Sequence, residues 1–144
     1  MTNGPPRYPN KSPATIDHDL RLAGSVNAVD RVVVLGVDNS ETLDAAFELR
    51  VKWVVCLDNT IRIVPKHIDG VEISHAFLTN GEEVLAAGEA EIVAMGDGDY
   101  LGAQITNHSG HYEPPAASLA LAVALFANHG IVFDEDAQEP VAGS

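Results

Sequence analysis

The sequence is short of cysteine, of long apolar runs and of basic residues, and each shortage excludes a class of protein. Cys56 is the single cysteine, so the chain cannot form an internal disulfide. It lies in the run VKWVVCL, where we expect a buried, inert thiol, because a reactive cysteine needs exposure and a positive neighbourhood. No run reaches the ~20 apolar residues of a membrane span, so no membrane partner is expected.

Acidic side chains outnumber basic ones in the sequence as a whole. The 144 residues carry 8 basic and 21 acidic side chains, which gives a net charge of −13. The last of the basic residues is Lys66, so residues 67–144 form an acidic half. Nucleic-acid affinity comes largely from lysine and arginine, and we therefore expect no nucleic-acid partner. A basic protein or a small molecule fits this charge better, although an anionic substrate would be repelled unless a local dipole intervened.

The length is that of one domain with short tails. Residues 1–15 are rich in Pro and Asn and contain no apolar core, which predicts a flexible leader, not a signal peptide, and a cytoplasmic protein. Residues 134–144 are small and acidic, which predicts a disordered tail. Residues 16–133 remain as a single α+β domain.

Short apolar runs predict a mostly antiparallel β-meander. The predicted strands are 32–36, 51–57, 60–64, 71–78, 84–95, 100–106 and 131–133. Asp58-Asn59 suits the tight turn of a hairpin, whereas 71–78 is either a strand or a strand that passes into one helical turn. Gly88 marks a bulge or a close backbone approach. The run 51–57 or 131–133, if at a sheet edge, could pair between two copies as a homodimer.

Two segments have helical spacing. Residues 40–49 predict a helix near the N-terminus, with a strand as the alternative. The segment PPAASLALAVALFANHG predicts a C-terminal helix that packs on the sheet, with its prolines in the first turn and Gly130 at its end. Glu113 precedes a proline and should be extended. The fold class is therefore α+β.

The stretch NHSGHYEPP, residues 107–115, concentrates polar chemistry in an otherwise plain chain. His111 should lie just before the N-terminus of the C-terminal helix, whose positive end keeps an imidazole neutral and able to act as a general base. Ser109 and Tyr112 are further catalytic candidates, and Asn107 is a substrate-binding candidate. The competing interpretation is structural, because these residue types also build turns.

Two other segments carry candidates for the same site. His75 lies beside Ser74 in the apolar segment ISHAFL, and Glu89 follows a glycine in an Ala-rich strand. We predict that His75 and Glu89 are catalytic and that Ser74 and His108 bind substrate, provided that neighbouring strands bring them to His111. The alternatives are a buried core histidine and a solvated carboxylate. Their spacing matches no metal-ligand pattern, so no metal or cofactor is expected.

The chain from residue 53 to about 131 resembles a small module of bacterial polymorphic toxins and secreted effectors. The segments that carry the resemblance are WVVCLDNTIRIVP, ISHAFLTNGEEVLAAGEAEI, ITNHSGHYEPP and the ending HGI of the following helix, and Ser-Gly-His-Tyr-x-Pro is the most specific element. Such modules occur at the C-termini of these proteins and as standalone proteins. The resemblance implies that residues 74–75, 87–89 and 107–114 belong to one structural unit, and it implies no particular reaction.

Three functions are consistent with these patterns. The first is a small enzyme, a hydrolase or transferase, that acts on a small or peptidic substrate through a histidine general base. The second is a non-catalytic module whose acidic surface, residues 82–99, docks a basic partner. The third, a nuclease-type toxin that uses His75 and His111, follows the resemblance but conflicts with the net charge.

Overall fold

A computed structural model describes residues 6–38, 40–48, 50–96, 98–109 and 112–141 as a mixed α+β fold, which confirms the predicted class. The helices are α1 Ile16–Ser25, α2 Ser40–Phe47, α3 His75–Thr79 and α4 Ser118–Asn128. The strands are β1 Val33–Val34, β2 Val51–Val55, β3 Ile61–Pro65, β4 His67–Ile68, β5 Val71–Glu72, β6 Ala86–Gly96, β7 Asp99–Thr106, β8 Val132–Phe133 and β9 Gln138–Glu139.

The main sheet has the order β1-β3-β2-β6-β7-β8, and β9 also pairs with β7. Its pairs are antiparallel except for the short β8 and β9, which run parallel to β7. The strand β2 lies between β3 and β6, so the run that contains it is not at an edge and cannot pair between copies; β8 is at the edge. The strands β4 and β5 form a separate small hairpin.

Helices pack on both faces of the sheet. Successive side chains of β2 point to opposite faces, and both faces are covered, so the strand is buried along its whole length. Val51, Trp53 and Val55 belong to one core cluster, with residues of α2 and α4. Val54 belongs to a second cluster on the opposite face, with residues of α3 and Tyr112. A strand that is buried on both faces needs apolar residues at nearly every position, and β2 has them. Lys52 is the exception in that run.

Several local predictions are confirmed. The hairpin of β2 and β3 turns through Asn59, which has a positive φ of 69°. The segment 71–78 is a strand that passes into a helix, since β5 ends at Glu72 and α3 begins at His75. Ser74 caps that helix by accepting a hydrogen bond from the Phe77 amide. Residues 40–47 are helical, and Cys56 is buried. The sequence analysis did not identify α1.

Gly88 is the point of closest backbone approach in the sheet, and β6 continues through it without a break. A Cβ at this position would lie 1.8 Å from the Thr106 carbonyl oxygen and 2.7 Å from the Trp53 ring. The register shift that a bulge produces falls later, between Glu91 and Ile92. Of the two roles predicted for this glycine, close approach is therefore the correct one.

The C-terminal part differs from the prediction at its junctions. The helix α4 begins at Ser118, so the two prolines precede its first turn and do not form it. Glu113 has a φ of 44° and is not extended, because its amide donates to the Ser109 carbonyl and closes a tight loop. Beyond residue 133 the chain returns to the sheet and pairs with β7 through β9. At the other end, Tyr8 pairs with Val84.

We predict that Gly88→Ala destabilises the fold strongly, because a backbone carbonyl occupies the space that the new methyl group needs. The expected loss in the free energy of unfolding is about 3 kcal/mol, at the upper end for overpacking, measured by urea denaturation. Gly24→Ala in α1 is the control, since nothing lies within 4 Å of its added Cβ. That variant should gain up to about 1 kcal/mol from helix propensity, and equal effects at both positions would contradict the argument.

Candidate functional site

A cavity of about 320 Å³ gathers residues from widely separated parts of the chain. Four residues predicted from the sequence line it: Ser74, His75, Glu89 and His108. The other residues on its wall are Asp19, Lys52 and Glu72. The structure therefore brings together half of the predicted site residues and adds a cation and two carboxylates that sequence reasoning missed.

The register of the sheet explains this convergence. Lys52 of β2 is the direct partner of Glu89 of β6, and Glu89 is in turn the partner of Thr106 of β7. Directly opposed residues present their side chains on the same face of a sheet. His108 follows two residues after the end of β7, and His75 opens α3, which packs against β2. Three neighbouring strands and one helix start thus meet at this cavity.

His75 is held in one orientation by the backbone. The residue is only 2% exposed, and its Nε2 donates to the Gly88 carbonyl oxygen at 2.7 Å. Because a carbonyl only accepts, Nε2 carries the proton in this hydrogen bond. A backbone bond that fixes the tautomer is a usual feature of a histidine that acts as a base.

Glu89 is a buried carboxylate with two cationic partners. It is 4% exposed, and its Oε1 accepts from Arg50 Nε at 2.8 Å and from Lys66 Nζ at 3.1 Å. Burial by itself raises the pKa of Glu89, but the hydrogen bonds and charges of Arg50 and Lys66 outweigh it and hold the pKa below its usual range. The carboxylate is therefore ionised at neutral pH.

Lys52 is the residue on the cavity wall that the sequence analysis most clearly missed. It is 5% exposed, and its Nζ donates to Glu72 Oε2 at 2.8 Å. The hydrogen bond from Lys52 is the main reason why the pKa of Glu72 lies below its usual range. A signal was present in the sequence, because a lysine inside an otherwise apolar strand is seldom buried unless it has a charged partner.

Asn107 and Ser109 hold a loop together and do not line the cavity. The Asn107 amide nitrogen donates to the carbonyl oxygens of Pro114 and Val141, at 3.0 and 2.9 Å, and its Oδ1 accepts from the Val141 amide at 2.7 Å. Ser109 Oγ accepts from the Tyr112 amide at 3.3 Å. Both side chains are buried, and these bonds fix the loop and the C-terminal segment.

Tyr112 does not line the cavity either. Its ring is fully buried in the second core cluster. Its hydroxyl donates to the Glu82 carbonyl oxygen at 2.6 Å and shares a hydrogen bond with Thr79 Oγ1 at 2.8 Å. Burial raises the pKa of this phenol, which opposes its use as an acid or a base at neutral pH. His111, the first candidate for a general base, lies outside the described residues.

Comparisons add no further assignment to this site. No family model, curated protein or solved structure matches the chain, so the resemblance to toxin-associated modules stays a prediction. Within the described ranges, no group of three or more His, Cys, Asp or Glu side chains is arranged to hold a metal ion. No helix in those ranges has the length and apolarity to cross a bilayer.

We predict that Glu89→Gln changes both stability and its pH dependence. The folded-state pKa lies below the ordinary value of 4.5, so the stabilisation from Glu89 is complete above that value and is lost as the pH falls through the folded-state pKa. At pH 7 the variant should lose about 2 kcal/mol, less than for a fully buried pair because Arg50 and Lys66 are partly exposed. Below pH 4.5 the two unfolding free energies should converge in urea titrations.

The control for that measurement is Glu135→Gln, which removes an exposed carboxylate. It should change the free energy of unfolding by less than about 0.5 kcal/mol at every pH. Parallel pH profiles for wild type and Glu89→Gln would contradict the assigned ion pairs.

We predict that Tyr112→Phe destabilises the fold by about 1.5 kcal/mol, because the buried Thr79 hydroxyl and the part-buried Glu82 carbonyl each lose one hydrogen-bond partner. Thermal and urea unfolding would measure the change. Tyr8→Phe is the matched control, since the Tyr8 hydroxyl makes no hydrogen bond within the described ranges. Unchanged stability in Tyr112→Phe would favour the catalytic interpretation of this residue over the structural one.

Proposed function

We propose that this domain binds a small polar molecule in the cavity and acts on it by acid–base chemistry, as a hydrolase or transferase. The observation that carries the proposal is the convergence of Ser74, His75, Glu89 and His108 on one cavity. Four polar residues from three separate segments lie on the same wall, and their residue types are those of proton-transfer sites. The volume of about 320 Å³ suits a small molecule or the end of a peptide.

His75 is the residue that we assign to proton transfer. Its hydrogen bond to the Gly88 carbonyl restrains the ring in one position on the cavity wall. Restraint of this kind matters because a catalytic base must lie within hydrogen-bond reach of the proton that it removes. His108 is exposed and lines the same cavity.

The remaining wall residues bind and orient. Glu89 is ionised, and its negative charge suits a hydrogen-bond donor of the substrate or a positive charge that develops during reaction. Ser74 Oγ accepts from the Phe77 amide at 3.4 Å, so its hydroxyl hydrogen can be donated to a substrate oxygen. Both roles are positional and require no covalent intermediate.

The two other functions have less support. An acidic surface for a basic partner is consistent with the exposed carboxylates of Glu82, Glu83 and Glu91, but these are ordinary for a chain of charge −13. A nuclease would have to overcome that same charge. The part of His111 in any of these functions stays a prediction.

We predict that His75→Gln removes activity without unfolding the protein. Incubation of the full chain with a panel of amino-acid amides, amino-acid esters and dipeptides, followed by one-dimensional NMR, would identify a compound that is turned over. For that compound, His75→Gln should lower kcat at least about 100-fold, the usual size of a general-base effect. The glutamine Nε2 can keep the bond to the Gly88 carbonyl, so the circular dichroism and urea midpoint should change little.

His129→Gln is the control, because it alters an exposed histidine remote from the cavity. It should retain full activity. Binding without turnover across the panel would contradict the catalytic part of the proposal, and full activity in His75→Gln would contradict the role of His75.

A further inference from the structure

The ammonium group of Lys52 is bound by fewer partners than its burial requires. An ammonium has three donor positions, and a lysine is seldom buried unless it is paired. Within the described ranges, its one hydrogen bond is the contact with Glu72 Oε2 at 2.8 Å. The side chain is nevertheless only 6% exposed and lines the cavity. Two donor positions are therefore available to a molecule in the cavity.

The one partner of Lys52 is easy to displace. The Glu72 side chain is 56% exposed, so the carboxylate can return to water at low cost. It lies on the two-residue strand β5, outside the main sheet, and its other oxygen is 3.8 Å from His67 Nε2. A bound oxyanion could take the place of this carboxylate on the buried cation.

Glu89 offers the opposite charge beside Lys52. Both of its ionic contacts, with Arg50 and Lys66, end on Oε1, and within the described ranges no hydrogen bond uses Oε2. Since Lys52 and Glu89 are register partners, their Cβ atoms are about 5 Å apart on the same face of the sheet. A buried cation and a buried anion thus stand next to each other on one cavity wall.

We propose that the cavity recognises a zwitterion of the α-amino-acid type, whose carboxylate replaces Glu72 on Lys52 and whose ammonium donates to Glu89 Oε2. This inference rests on the proposed function, because it names the class of small molecule that the cavity takes. Because Lys52 and Glu89 are direct register partners, a small ligand that carries both charges can contact the two side chains together. Asp19, which also lines the cavity, adds a further negative charge that favours an ammonium group.

The test is a titration of the full chain with glycine, acetate and methylamine at pH 7 and constant ionic strength. Backbone amide NMR shifts of Ser74 and Glu89 report on the cavity, and fitted Kd values compare the three probes. Glycine should bind at least about 10-fold more tightly than acetate or methylamine, because it alone meets both charges. Equal Kd values for glycine and acetate would overturn the zwitterion assignment.

Three variants separate the two contacts. Lys52→Met should weaken glycine and acetate about 10-fold and leave methylamine unchanged, whereas Glu89→Gln should weaken glycine and methylamine and leave acetate unchanged. Glu72→Gln should strengthen acetate and glycine several-fold, since it removes the carboxylate that competes for Lys52. The amide oxygen introduced at position 72 can still accept from Lys52, so this variant removes the competing charge and keeps a partner for the buried ammonium.

Arg7→Gln is the control for net charge, because it removes one positive charge from an exposed site away from the cavity. Its Kd values should equal those of the wild type. If the probes shift cavity resonances but Lys52→Met and Glu72→Gln have no effect, this inference fails and the cavity remains a binding site. If no probe shifts those resonances, the proposed function fails with it.

Discussion

The burial of Glu89 is the constraint on which the rest of this structure depends. A carboxylate that is 4% exposed is tolerated inside a sheet only because cations from adjoining segments reach it, and here Arg50 and Lys66 do so side by side at the open end of the β2–β3 hairpin. That requirement ties the hairpin to β6. It also keeps one end of this sheet face polar, so apolar side chains cannot close over it and a cavity is left.

Gly88, the residue before Glu89, determines how closely β7 approaches β6 and how His75 is oriented. Gly88 lets the backbone of β7 approach to a distance that no side chain would allow, and its carbonyl oxygen accepts the Nε2–H of His75. Two consecutive residues therefore position a carboxylate, a histidine and the strand that leads to His108. Changes at either position should disturb packing and site together, which distinguishes this segment from the β6–β7 turn.

The sequence of this protein predicts local secondary structure better than it predicts which distant residues lie side by side in the sheet. Periodicity identified the hairpin of β2 and β3 and the helix α4. Ser74, His75 and Glu89 stood out as polar residues within apolar segments. The pairing of Lys52 with Glu89 joins residues 37 positions apart and leaves no local pattern, so Lys52 was read as part of an apolar run. The polar residues around positions 107–112 show why residue type alone does not distinguish a site from a loop. Asn, Ser and Tyr build tight loops with the same hydrogen-bonding groups that they use in sites, and here Asn107, Ser109 and Tyr112 stabilise a loop.

Cations are concentrated near the cavity although the chain as a whole is acidic, and this concentration bears on the proposed ligand. Of the eight basic residues in the sequence, Arg50, Lys52 and Lys66 meet at one end of the sheet. Exposed charges beyond about 8 Å are screened at physiological ionic strength, so the acidic surface contributes little to contacts inside the cavity. It still repels an approaching anion. A molecule without net charge avoids that repulsion and can still use both buried charges, which explains how so acidic a protein can keep an effective cationic contact.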